Sequence, residues 1–130
     1  MLAVDTNVLL RLLVDDPLAP EQCARARARV RDEETVFVPS IALVETVWVL
    51  RDSYGFSKAQ ILGVFTRLLE NGRYEIANGK MFADALKSFL GVNVDFADCA
   101  IHAEARRANA GLVTFDRKLG RLDGVEVLRA

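Results

Sequence analysis

Five short apolar runs punctuate the chain, with helical stretches between most of them. That alternation constrains the fold more than any other feature. The runs cover residues 2–4, 36–38, 73–77, 112–115 and 125–128. Each is short, carries Val, Ile, Leu, Phe or Tyr, and reads as a strand, with 2–4, 36–38 and 112–115 read as buried. Between them, helical patterns cover residues 8–13, 18–34, 40 to about 54, 58–70, 80–90 and 99–109, with one further turn over 118–122. Strands that alternate with helices predict an α/β fold. The expected form is a three-layer αβα sandwich around a central parallel sheet of four to five strands. In open sheets of this kind, ligands sit outside the carboxyl ends of the strands.

The length of 130 residues fits one domain spanning 1–130. The formal net charge of −1 gives no global basic field. A nucleic-acid partner would therefore be held by a local patch together with a metal. Cys23 and Cys99 form no C-x-x-C pair, and both fall in helical runs. They read as small buried hydrophobes in a reducing compartment. No basic segment precedes the N-terminal apolar stretch, and no apolar run reaches the length of a membrane span. The expectation is a cytoplasmic protein with no membrane contact.

Four carboxylates fall where such a fold places ligands. Asp5 and Asp116 each follow a short strand directly, and Asp98 lies at the start of a helix. Glu45 lies in the first half of a helix that opens at the same edge. All four are expected to face one acidic crevice. Four carboxylates so close repel one another, so some must protonate or a cation must join them. Oxygen ligands with no His or Cys beside them suit Mg²⁺, with Mn²⁺ able to substitute. A metal in such a cluster points to phosphodiester or phosphate chemistry.

Singly, each Asp has a plainer reading. Asp5 and Asp95 are the residue type that caps helices, Asp98 completes a capping arrangement, and Asp116 forms a turn. Glu45 differs, because it sits in the run Ile-Ala-Leu-Val-Glu-Thr-Val-Trp-Val. A carboxylate buried in that run needs a polar partner or a metal.

These segments resemble the motifs of PIN-domain nucleases. Val4-Asp5-Thr6-Asn7-Val8-Leu9-Leu10 is similar to the opening motif, and Ser40-Ile-Ala-Leu-Val-Glu45 to the second. Asp95-Phe-Ala-Asp98-Cys-Ala-Ile101 is similar to the third, and Val113-Thr114-Phe115-Asp116 to the fourth. Order and spacing match along essentially the whole chain; Cys99, where a small residue such as Ala is expected, is a minor departure. Within that superfamily the short chain resembles a VapC-type toxin of a toxin–antitoxin pair. The resemblance implies a Mg²⁺-dependent endoribonuclease, dimeric and held inactive by a cognate antitoxin. By the same carry-over, Asp5, Glu45, Asp98 and Asp116 are the catalytic and metal-binding acids. Thr6, Asn7 and Thr114 are supporting polar groups. Glu45 either binds metal or positions the attacking water, and the number of ions stays open.

Arg11, Arg117 and Lys118 are candidate RNA contacts, against the plainer reading of ordinary surface charge. The arginines of 25–31 are read as a solvated helix face in preference to an RNA or partner contact. His102 is left outside the catalytic set. Trp48, Val49, Tyr54, Phe56, Phe65 and Leu69 divide evenly between two readings, a core and a dimer or antitoxin interface. A haloacid-dehalogenase-type phosphatase needs a second Asp where Asn7 stands. A receiver domain needs an Asp at the end of the third strand, where Ala77 stands. Two rivals keep the fold: a PIN-like module that only binds proteins, and a housekeeping RNA-processing nuclease without an antitoxin.

Overall fold

A computed structural model describes residues 1–129. Five strands and six helices alternate as expected: β1 (Leu2–Ala3), α1 (Thr6–Leu13), α2 (Pro20–Val30), β2 (Val36–Val38), α3 (Ser40–Asp52), α4 (Lys58–Glu70), β3 (Tyr74–Ile76), α5 (Gly79–Gly91), α6 (Phe96–Arg107), β4 (Leu112–Thr114) and β5 (Val125–Val127). One 3-10 turn covers Leu119–Arg121. The architecture is α/β, and every strand pair is parallel. The ladders divide differently from the single sheet expected. β1, β2 and β3 form one sheet in that order, and β4 pairs with β5 in another. Strands of two or three residues carry too little pattern to name their partners, so pairing is a tertiary choice.

The chain divides into two compact units, Met1–Ala77 and Asn78–Ala130. In the first, Val36 and Val38 of β2 are fully buried with Leu9, Leu43, Leu50, Ile61 and Phe65. Local chemistry sets the helix ends. Ser57 and Gln60 form a reciprocal capping box on α4. Gly55 follows α3 at φ +68°, a left-handed conformation that suits glycine. Pro20 opens α2, where a missing N–H costs nothing. At its other end, the Arg73 Nη2 donates to the carbonyls of Val30, Arg31 (3.3 Å) and Glu33 (2.9 Å). One guanidinium thus ties together three carbonyls at and just beyond the end of α2. The helix is shorter than the 18–34 expected.

A polar knot joins α1 to the chain beyond α3. Tyr54 donates its hydroxyl proton to Asp16 Oδ2 at 2.6 Å. Arg11 Nη1 reaches the same Asp16 oxygen at 3.3 Å and the Tyr54 hydroxyl at 3.1 Å. Arg11 Nε also donates to Gln22 Oε1 at 2.8 Å.

In the second unit α5 packs on α6 through aromatic edges. Phe96 meets Phe82 at 5.3 Å and Phe89 at 5.4 Å between ring centres, both edge-to-face. α6 begins at Phe96, three residues before the expected start at 99, with Asp95 as its N-cap. No helix among the described residues is long and apolar enough to cross a membrane.

Candidate functional site

In the first unit, Asp5 lies two residues beyond β1 and caps α1. Its backbone is extended, and its Oδ1 accepts from the Val8 N–H at 3.0 Å. This is the capping geometry that Asp supplies to a helix start. The next residue, Thr6, donates its hydroxyl to Glu45 Oε1 at 2.8 Å. Thr6 therefore ties that carboxylate to the start of α1. Asn7 is exposed on the first turn of α1.

Glu45 is exposed, which overturns the argument that it is buried among apolar residues. α3 turns Ala42, Leu43, Thr46, Val47 and Leu50 inward and leaves Ile41, Glu45 and Trp48 outward. Positions 41, 45 and 48 share one face, as a 3.6-residue period requires. An apolar run in sequence hides which face looks out. Thr46 can be buried because its hydroxyl bonds back to the Ala42 carbonyl at 2.6 Å. The six apolar residues that divided between core and interface now separate. Phe65 is fully buried, Trp48 is 57% exposed, and the other four are half-buried.

A cleft of about 470 Å³ in the same unit is lined by Asp5, Asn7, Arg11, Arg25 and Arg29, with apolar residues of β1 and α2. Arg25 and Arg29, read from sequence as a solvated face, thus border the cleft that holds Asp5. The signal available was their i, i+4 spacing, which puts both on one side of α2. Arg29 also pairs with Glu33 at 2.8 Å.

In the second unit, Asp98 lies in the first turn of α6 and is half-buried. Burial holds its carboxyl above the ordinary carboxylate range, and the negative charges of Asp116 and Asp95 push it the same way. Asp116 follows β4 in a tight turn. Its Oδ1 accepts from the Lys118 N–H at 2.8 Å, and its own N–H donates to Thr114 Oγ1 at 3.0 Å. Thr114 thus fixes the backbone that presents Asp116. Arg117 and Lys118 are exposed beside it. Asp95 joins the electrostatic group, although sequence gave it first as a cap.

His102 is buried on α6, and its Nε2 lies 2.7 Å from the Asp123 carbonyl. A carbonyl only accepts, so Nε2 carries the proton and the ring is a structural donor. Its Nδ1 has no hydrogen-bond partner among the described residues. Cys23 and Cys99 are buried and form no disulfide with each other, as expected.

Among the described residues, no three His, Cys, Asp or Glu side chains stand together as a ready group for a metal ion. The donor chemistry nevertheless fits a hard divalent cation. Asp98, Asp116 and Asp95 offer only carboxylate oxygens, and a cation would offset the negative charge that bears on Asp98. Comparison with known sequences agrees in kind: the family profile of the PIN domain matches residues 2–125. Comparison with curated proteins finds no match.

Proposed function

Because the chain belongs to the PIN domain family, whose members are generally metal-dependent nucleases, we propose that it is a Mg²⁺-dependent endoribonuclease and the toxin of a toxin–antitoxin pair. It acts as a single PIN-like nuclease domain on single-stranded RNA. The observation that carries this reading is the match of the PIN family profile to residues 2–125, a span that holds all four assigned acids. Beside it, Thr6 ties the Glu45 carboxylate in place, and the charges of Asp116 and Asp95 bear on a half-buried Asp98.

The residues assigned to the reaction are Asp5 and Glu45 in the first unit and Asp98 and Asp116 in the second. As metal ligands their carboxylates would hold Mg²⁺, or Mn²⁺ in its place. When bound, the ion supplies charge neutralisation at the phosphate and a more acidic water. The chain's own groups do the positioning. Thr6 fixes the rotamer of Glu45, which then accepts a proton from water on an exposed helix face. Thr114 and the Lys118 N–H fix Asp116. Asn7, exposed at the start of α1, offers an amide to water or phosphate. Arg117 and Lys118 carry positive charge beside Asp116 for a phosphate. Arg11 reaches RNA only from within its bonds to Asp16 and Tyr54. Hydrolysis leaves 5′-phosphate and 3′-hydroxyl ends.

The proposed protein partners are a cognate antitoxin and a second copy of the chain. Ile41 at 74% exposure and Trp48 at 57% support this, since large apolar side chains together on one helix face suit a partner surface. Such a toxin works in the cytoplasm. The deciding experiment measures cleavage of single-stranded RNA with Mg²⁺ and with EDTA, for wild type and Asp98→Asn. Loss of cleavage in EDTA and in the variant is expected. Undiminished cleavage by Asp98→Asn overturns the assignment.

A further inference from the structure

β4 presents its side chains alternately to two sides. Leu112 and Thr114 are half-buried, while Val113 is 57% exposed and Phe115, just past the strand, 69%. A phenyl ring so exposed contributes little to a core. Beside it the second unit carries a cavity of about 830 Å³ lined by Phe115, Arg117, Arg121 and Arg129, with Gly120 and Val127 among the rest. Among the described residues, no acidic side chain lines it. Arg117, Arg121 and Arg129 make no ion pair among the described residues, whereas Arg27, Arg29 and Arg107 each have an acidic partner. Gly120 is pressed against Val127, since a Cβ there would lie 2.1 Å from Val127 Cγ2. The turn is therefore seated on β5, and the arginines rise from a fixed base.

We infer that this pocket is a subsite for single-stranded nucleic acid, with a base stacked on Phe115 and adjoining phosphates held by Arg117, Arg121 and Arg129. Each half of the lining matches one half of a nucleotide. Every base has a face that stacks on an aromatic ring, and guanidinium forks match phosphate oxygens. A duplex hides its base faces, so the strand must be single. An acidic protein segment would use the arginines but needs an aromatic residue of its own to use the ring, whereas every nucleotide carries a base. The biological sense rests on the nuclease reading: the subsite holds the strand at the residue next to Asp116. Binding itself needs no metal.

The test uses the full chain in EDTA and a labelled oligouridylate of about ten nucleotides, read by fluorescence anisotropy. Phe115→Ala is expected to weaken binding about tenfold, the scale of one lost base stack. Phe115→Trp retains affinity, and Phe115→Leu loses as much as the Ala variant. With three phosphates held, log affinity falls against log salt with a slope of about −2, and Arg121→Gln with Arg129→Gln brings it to about −0.7. Wild-type affinity in Phe115→Leu overturns the subsite, because a merely apolar contact then suffices. Equal competition by an oligoglutamate overturns it too. The two readings fail separately. A wild-type protein that binds the oligonucleotide but does not cut RNA with Mg²⁺ loses the nuclease reading and keeps the subsite. A protein that cuts RNA while Phe115→Ala binds as wild type does the reverse.

Discussion

Thr6 Oγ1 donates to Glu45 Oε1 at 2.8 Å across 39 positions of sequence. The bond is the one side-chain tie that the described residues show from the α1 start to the Glu45 carboxylate. It gives an exposed acid a defined position. Glu45 needs that, since a solvated glutamate otherwise samples several rotamers.

Thr6→Val keeps the side-chain shape and removes the donor. RNA cleavage should fall about tenfold, the usual scale for losing a group that orients a ligand. Stability should change by less than about 1 kcal/mol, because the bond is exposed. Thr6→Ser should restore cleavage. Kinetics beside urea melts separate the two effects, and an unchanged rate in Thr6→Val removes the orienting role.

Asp98→Asn should make the metal-free protein more stable at neutral pH while lowering cleavage about a hundredfold or more. The folded carboxyl is raised by burial and by Asp116 and Asp95, so the native state binds this proton more tightly than the unfolded chain. Stability from that proton is full below the unfolded value of 3.8 and is lost as pH rises through the folded one. Asn removes the penalty. Melting curves in EDTA should favour the variant at pH 7 and converge with wild type in acid.

Tyr54→Phe should destabilise the first unit and flatten its acid response. The Tyr54 hydroxyl is the main cause that lowers the Asp16 carboxyl, with the Leu18 N–H second and Arg11 a smaller help. A lowered carboxyl contributes stability above its unfolded value of 3.8, lost as pH falls through the folded one. Asp16 in turn raises the Tyr54 phenol, whose contribution is present below 10.0 and lost as pH climbs past its folded value. Wild-type stability should thus drop at both extremes, and Tyr54→Phe should show smaller drops. Denaturant midpoints from acid to strongly alkaline pH check this.

Gly120→Ala should cost about 1–2 kcal/mol, because the added methyl meets Val127 Cγ2 at 2.1 Å. Val127→Ala in the same protein should recover most of that loss. A double-mutant cycle by chemical denaturation measures the coupling. Additive losses would show that the turn shifts off β5 instead.

Sequence legibility varied with how local the signal was. α4 spans the 58–70 expected of it, because the residues that set its ends, Ser57 and Asn71, stand directly beside it. β2 lies where its Val-Phe-Val run predicts. Asp98, Asp116, Thr6 and Thr114 were legible as polar groups at strand and helix ends. The outward turn of Glu45 was not, because every neighbour in α3 but Thr46 is apolar and period alone cannot say which face is core. The split of five strands into two ladders was hidden for a similar reason: partners lie far off in sequence. α2 stops at Val30 partly because a residue beyond its own run caps it.

That residue is Arg73, and its grip on the end of α2 spans 43 positions. During synthesis α2 emerges well before the side chain that completes it. At about 5–20 residues per second, the carbonyls of Val30, Arg31 and Glu33 wait several seconds for that guanidinium. The last turn of α2 is therefore a late arrival in the nascent chain, frayed on the ribosome until β3 follows it out.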